Sequence, residues 1–246
     1  MRTLAVLIFV ILAGVVDSPS SPQAPSVTVA GVASVVRAAG AGSRKTDSAG
    51  VVVWLKPVLL ANGTPHTEEN SPARRFKIVQ RRKRFEPRLL AVPVHAVVDF
   101  PNLDPFFHNV FSLFDGKRFD LGLYEAGASQ SVTFDRPGVS YIFCNIHPEM
   151  SALVVVTDTP LYAISDAAGK FSIPGVPPGR YLVSVWHERA KAESPVDSTR
   201  LVTVSPEKNG LLPPIRLIDS GQIPAPHKNK YGLDYDTPKR VGPPYK

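Results

Sequence analysis

The chain has 246 residues, of which 43% are hydrophobic and 20% charged. That length admits one to three compact units, and the composition excludes a disordered chain. Proline, at 25, outnumbers glycine, at 17. Proline removes a helix donor and clashes with the preceding turn, so an all-helical fold is excluded and short strands joined by turns are expected. The formal charge is +7, and its source is local. Residues 71–88 hold Arg74, Arg75, Lys77, Arg81, Arg82, Lys83, Arg84 and Arg88 against Glu86 alone, and the rest of the chain balances. The high charge therefore reports one basic segment rather than a basic protein. With Cys144 as the one cysteine, an intramolecular disulfide is excluded.

In chain order, Arg2 precedes an apolar run from Leu4 to Val16 that Asp17 ends. This is short of the ~20 residues that cross a bilayer, and it has the length of a signal-peptide core. Residues 1–22 are expected to be a signal peptide or N-terminal anchor, which places the rest in the periplasm or another extracytoplasmic space. A lipoprotein anchor is excluded, because no cysteine follows the run. Residues 17–26 read as a Ser/Pro linker. An N-terminal β segment, 26–65, contains the strand candidates Val27–Val36 and Val51–Leu60. Between them, Gly40-Ala41-Gly42-Ser43-Arg44-Lys45-Thr46 has the residue types of a phosphate loop. Arg44 stands where glycine should precede the lysine, so the stretch reads as a flexible connection. Residues 66–84 are expected to be a basic surface linker.

From 85 to 157, short runs rich in β-branched and aromatic residues alternate with turn signals. The runs are Leu89–Val92, Ala96–Phe100, Asn109–Phe114, Ser131–Phe134, Val139–Phe143 and Ala152–Val156. The punctuation predicts a β-sandwich of about seven strands. A second, smaller sandwich is expected over 158–218. It has a hairpin turn at Asp166–Lys170, a rigid turn from Pro174 to Gly179, and a long alternating strand at Tyr181–Trp186. Residues 219–246 are proline-rich and polar, expected to be extended or disordered unless they wrap a domain.

The chemistry concentrates after the strand that ends at Phe143. In Cys144-Asn145-Ile146-His147-Pro148-Glu149-Met150, a thiol, an imidazole and a thioether recur at every third position. A tight loop can turn all three to one point. His108, 36 residues upstream of Cys144, opens another strand that can lie alongside. Two imidazoles, a thiolate and a thioether form a soft donor set. In a trigonal arrangement with a long axial thioether, it is the electron-transfer copper geometry.

Residues 85–157 resemble the cupredoxin (plastocyanin-like) family through Phe107-His108-Asn109-Val110-Phe111 and the 144–150 loop, whose Cys-x2-His-x2-Met spacing is similar to the amicyanin type. Val97-Val98-Asp99-Phe100-Pro101-Asn102 extends the likeness to bacterial methylamine-utilisation-type cupredoxin proteins. Residues 158–218, with Asp166–Phe171 and Val176–Tyr181, resemble the carboxypeptidase-regulatory or transthyretin-like sandwich. The resemblance implies a mainly β chain with a cupredoxin Greek-key sandwich and a smaller transthyretin-like one. It implies one type 1 copper at His108, Cys144, His147 and Met150. It also implies that Asn109 ties the two ligand-bearing loops together. Many related loops carry proline where Ile146 stands. The Ile146 and Asn109 amides are therefore expected to donate to the Cys144 sulfur and raise the reduction potential.

Alternatives remain at this level. Cys144 reads also as a buried apolar thiol. A Cys–His nucleophile would need an orienting group and a wet cleft. Zinc accepts Cys and two His but takes Met poorly, and Glu149 is a competing oxygen donor to Met150. His66, His95, His187 and His227 lack partners at ligand spacing, and His95 stands in a turn where relatives carry glycine. Phe106, Phe107, Ile146 and Pro148 read either as core packing or as an apolar rim around His147. The expected function is an exported blue copper protein that carries single electrons between redox partners, with no catalytic residues. Copper delivery or storage, or a structural sandwich with a non-functional site, are the alternatives. The basic segment 71–88 reads as a solvated loop, a docking patch for an acidic redox partner, or a peripheral membrane contact; nucleic acid is not expected. Electron exchange that slows with added salt would select docking.

Overall fold

A computed structural model describes residues 26–37, 48–58, 74–113, 116–190, 199–208, 210–220 and 227–235. The expected leader, the glycine-rich stretch 38–47, residues 59–73 with His66, and the last eleven residues lie outside them. No helix among the described residues is long and apolar enough to cross a membrane.

The strands in chain order are β1 (Val27–Arg37), β2 (Val52–Pro57), β3 (Arg75–Lys77), β4 (Val79–Arg81), β5 (Arg84–Glu86), β6 (Leu89–Pro93), β7 (Ala96–Pro101), β8 (His108–Ser112) and β9 (Phe119–Tyr124). They continue with β10 (Ser129–Phe134), β11 (Gly138–Phe143), β12 (Ser151–Thr157), β13 (Tyr162–Ile164), β14 (Lys170–Val176), β15 (Gly179–Trp186), β16 (Thr199–Val204) and β17 (Ile215–Asp219). The fold is mainly β, as the proline and turn content predicts.

The central body packs the sheet β10-β7-β3 against the sheet β6-β12-β11-β8-β9, with the hairpin β4-β5 at one edge. Its core holds Val98, Phe100, Val110, Phe134, Ile142, Cys144, Met150 and Val154, all fully buried. β12 is buried along nearly its whole length. One face (Ala152, Val154, Val156) meets this core, while Val155 on the other meets Val52 and Ala91. A strand covered on both faces has no polar side to show, which is why its sequence runs apolar without alternation.

The basic linker expected at 66–84 is corrected here. From Arg75 onward the segment is strand: β3 pairs in parallel with β7, and Ile78 and Phe85 enter the core. The apolar residues face in and the arginines and lysines face out. The charge density hides a period-two pattern from a reading of composition. β9 and β13 were also not expected as strands.

β1 and β2 belong to the second body. There the sheet β14-β1-β17 faces the sheet β13-β2-β15-β16 around Val29, Val51, Leu55, Phe171, Ile173 and Val183. The central body is thus inserted between β2 and β13. The turn expected from Pro174 to Gly179 is shorter than predicted, because β14 runs on to Val176. β14 is an edge strand, where a missing amide is tolerated, and a register shift against β1 places one extra residue at this point. The hairpin turn at Asp166–Lys170 forms, with the Asp166 carboxylate accepting the Ala168 and Lys170 amides at 2.9 and 2.8 Å. Gly169 takes φ 77 there, and a Cβ on it would lie 2.0 Å from the Ala33 carbonyl oxygen, so no other residue fits. The two bodies meet through Val52, Ala91 and Val155 and through a bidentate Arg88–Glu188 pair at 2.8 and 2.6 Å.

Candidate metal centre

β11 and β8 are antiparallel neighbours paired at Phe143 and Phe111. The residue after Phe143 therefore comes level with Val110, two residues past His108. Cys144 leaves β11 and its amide donates to the Met150 carbonyl at 3.3 Å, while the Met150 amide donates to the His147 carbonyl at 3.1 Å. These two bonds fold 144–150 back on itself. His108, Cys144 and Met150 are fully buried, and His147 is half-buried.

Three donor atoms converge. Cys144 Sγ lies 3.8 Å from His108 Nδ1 and 3.6 Å from His147 Nδ1, and the two Nδ1 atoms are 3.1 Å apart. A triangle with these edges has its circumcentre (edge product over four times the area) about 2.0 Å from each corner. Metal–imidazole bonds are about 2.0–2.1 Å and metal–thiolate bonds about 2.3 Å, so a metal ion fits among these atoms with little adjustment. His108, Cys144 and His147 are the group among the described residues with metal-ligating geometry. Met150 sits in the same core cluster as Cys144.

The surroundings prepare each donor. His108 Nε2 is 2.8 Å from Asp104 Oδ2. A proton held on Nε2 by that carboxylate leaves the Nδ1 lone pair facing inward. Asp104 was not anticipated from the sequence. It accepts the amides of Arg82 at 2.5 Å and Lys83 at 2.8 Å. Burial pushes its pKa up, but those amides and the His108 ring outweigh burial and hold it below the ordinary carboxylate range. Arg82 and Lys83 take φ 53 and 55, a left-handed pair that costs bulky residues of order 1 kcal/mol each. Aiming both amides at one buried carboxylate is what this β4–β5 turn accomplishes. Asn102, also buried, sets the intervening loop: its side chain accepts the Asp104 amide at 3.0 Å and donates to the Phe106 carbonyl at 2.8 Å. The signal available in the sequence was Asn102-x-Asp104-Pro105, a side-chain-capped turn four residues before a histidine.

The Cys144 thiol is pushed up by burial, while the amides of Asn109, Ile146 and His147 pull the other way by donating to the sulfur. The two amide donors expected at Asn109 and Ile146 are present, with His147 as a third. Asn109 departs from expectation in its side chain, which donates to Asp120 at 2.7 Å and to the Gly122 carbonyl at 2.9 Å on β9. It ties the two ligand segments through its backbone, not its carboxamide. Burial lowers the His147 pKa, with the charges of His108 and Lys83 adding to the effect.

Phe106, Phe107, Ile146 and Pro148 are exposed, so they form a rim rather than core. The Phe106 ring lies 5.2 Å from that of His108 and 5.8 Å from that of His147, with Lys83 Nζ 5.7 Å from its centroid. His95 takes φ 67 in the β6–β7 turn, the conformation glycine ordinarily supplies. His187 lies away from the donor cluster at the end of β15. His227, from the tail, stacks on Phe143 with centroids 4.0 Å apart.

No family model and no curated protein matches the chain. Solved structures do. A purple cupredoxin from Nitrosopumilus maritimus is 26% identical over 33% of this chain and 99% of its own, with a TM-score of 0.31. A copper-containing nitrite reductase from Thermus scotoductus is 23% identical over 42% of this chain and 26% of its own, with a TM-score of 0.34. A reduced mutant form of amicyanin is 22% identical over 36% of this chain and 88% of its own, with a TM-score of 0.33.

Proposed function

We propose that this chain is an exported electron carrier of the type 1 copper class, in which His108, Cys144 and His147 would hold one copper ion and the Met150 thioether would be the fourth, weaker donor. The observation that carries the reading is the triangle of two imidazole nitrogens and one thiol sulfur, sized for a metal ion. Thiolate and thioether favour Cu(I), imidazoles accept Cu(II), and hard cations are disfavoured by the same set. Copper supplies the one-electron couple. The protein residues do the rest. Asp104 keeps His108 in the tautomer that points Nδ1 inward. Three amides offset thiolate charge at Cys144. Burial of His108, Cys144 and Met150 keeps water out, and the rigid β frame holds the donors in one arrangement for both oxidation states. His147, half-buried among Phe106, Phe107, Ile146 and Pro148, offers the short path to the surface. With Met150 as a fourth donor, no coordination position would be left for a substrate, which favours a carrier over an enzyme.

Arg81, Arg82, Lys83 and Arg84 are all exposed on the hairpin that buttresses Asp104. Their place beside the centre supports a redox partner with an acidic docking face. The test is addition of Cu(II) to the purified protein. Intense absorption near ~600 nm, the thiolate-to-copper charge-transfer band, is expected and should vanish in Cys144→Ser. A protein that takes up no copper, or takes it up without that band, refutes the type 1 reading.

A further inference from the structure

We propose that the C-terminal segment 227–235 is part of the metal centre: a strap that pins together the two stretches of backbone bearing the ligands, with Lys230 and Tyr235 as positioning residues. The segment lies about eighty residues beyond the ligand loop in sequence, and it crosses the loop where it leaves β11. The Tyr235 hydroxyl donates to the carbonyl of Cys144 at 2.6 Å and sits 3.2 Å from His227 Nδ1. His227 stacks face to face on Phe143, at 4.0 Å and 23°. The Lys230 amide donates to the Asn145 side chain at 2.9 Å. Three consecutive residues, Phe143, Cys144 and Asn145, are thus each held from outside.

The same strap reaches the other ligand segment. Lys230 Nζ pairs with Asp120 at 2.7 Å, and Asp120 accepts the Asn109 side chain at 2.7 Å. Asn109 follows His108 and gives its own amide to the Cys144 sulfur. Lys230 therefore links the His108 side of the site, through Asp120 and Asn109, to the Cys144 side, through Asn145. Within the loop itself, the Cys144–Met150 and Met150–His147 backbone bonds close the turn, but neither connects it to β8 or β9. The Asn109 amide joins β8 to the Cys144 sulfur, and the strap adds the connection to β9, through Lys230, Asp120 and Asn145. Fixing donors from two segments to within tenths of an ångström is the work that supporting hydrogen bonds do for a metal site. Consequently the strap slows both opening of the loop and escape of a bound ion.

The inference concerns loop order directly, and rests on the copper reading only for its metal arm. The test compares full-length protein with Tyr235→Phe, Lys230→Ala and the double variant, using Leu211→Ala, at an exposed position of the second body, as the control. In copper-free protein, amide hydrogen exchange over 144–150 is expected to rise about tenfold in Tyr235→Phe, the size of one lost hydrogen bond, and further in the double variant. Exchange in β12 and the second body should stay unchanged. In the copper-loaded protein, release to a Cu(I) chelator should speed up in the same order. Loop exchange in the double variant equal to that of the parent, or a rise shared equally by both bodies, overturns the strap. If the protein takes up no copper, the metal reading falls while the exchange measurement still decides the strap.

Discussion

Replacement of Asp104 by asparagine tests the chain of contacts running from the basic hairpin to the donor atoms. The carboxylate is 5% exposed and accepts three bonds, from the Arg82 and Lys83 amides and from His108 Nε2. Bonds to a charged acceptor contribute about 1.5–3 kcal/mol and neutral ones about 0.5–1.5, so three exchanged bonds cost about 3 kcal/mol. For the central body, β3 to β12, that lowers the melting temperature by roughly 12–24 °C. The carboxamide also presents an N–H₂ toward donors it cannot satisfy, and it releases the constraint on the His108 tautomer. Loss of such a support typically weakens metal binding about 10–100-fold. Thermal unfolding of the copper-free protein reads the first effect, and competition with a chelator of known affinity reads the second. A variant that melts with the parent and binds copper equally well would falsify the claim that the hairpin organises the centre through Asp104. A variant with lowered melting and unaltered copper binding would confine Asp104 to a structural role.

Two further outcomes are expected. Ile146→Pro deletes one of the three amide donors to the Cys144 sulfur, so the reduction potential should fall by roughly 40 mV, the one-electron equivalent of about 1 kcal/mol; an unchanged or higher potential in cyclic voltammetry removes the role assigned to this amide. Asp99 is held below the ordinary carboxylate range first by the Ser131 hydroxyl and then by Arg75. Because its folded pKa is depressed, its stabilisation is present above the unfolded value near ~3.9 and is lost as pH falls through the folded one. Melting temperature followed from pH 6 downward should therefore drop more steeply in the parent than in Asp99→Asn, and parallel curves would remove this pair from the acid response.

Much of the architecture was legible in one dimension. Proline frequency, turn dipeptides and β-branched runs define a mainly β chain, since each acts on backbone geometry within a few residues. The three-residue spacing of Cys144, His147 and Met150 within one short loop is local in the same sense, and the donor types carry their own chemistry. Where the partners are distant, the reading fell short. The arginines and lysines around Ile78 and Phe85 masked two inward-facing positions, because composition weighs charge while a strand sorts its side chains by face. Nothing near Asp104 in sequence states that two amides some twenty residues earlier will aim at it. That convergence requires the β4–β5 turn to be set against the β7–β8 loop.

The destination of β1 and β2 shows the same limit. Both are recognisable as strands from their residues, yet only packing assigns them to the second body, across an inserted domain. Tail residues His227, Lys230 and Tyr235 are unremarkable in a proline-rich stretch. Folding brings them onto Phe143, Cys144 and Asn145. Residue types and short-range spacing settle which atoms are able to bind a metal. Long-range pairing of β11 with β8, which no local propensity encodes, settles that His108 meets Cys144 at 3.8 Å.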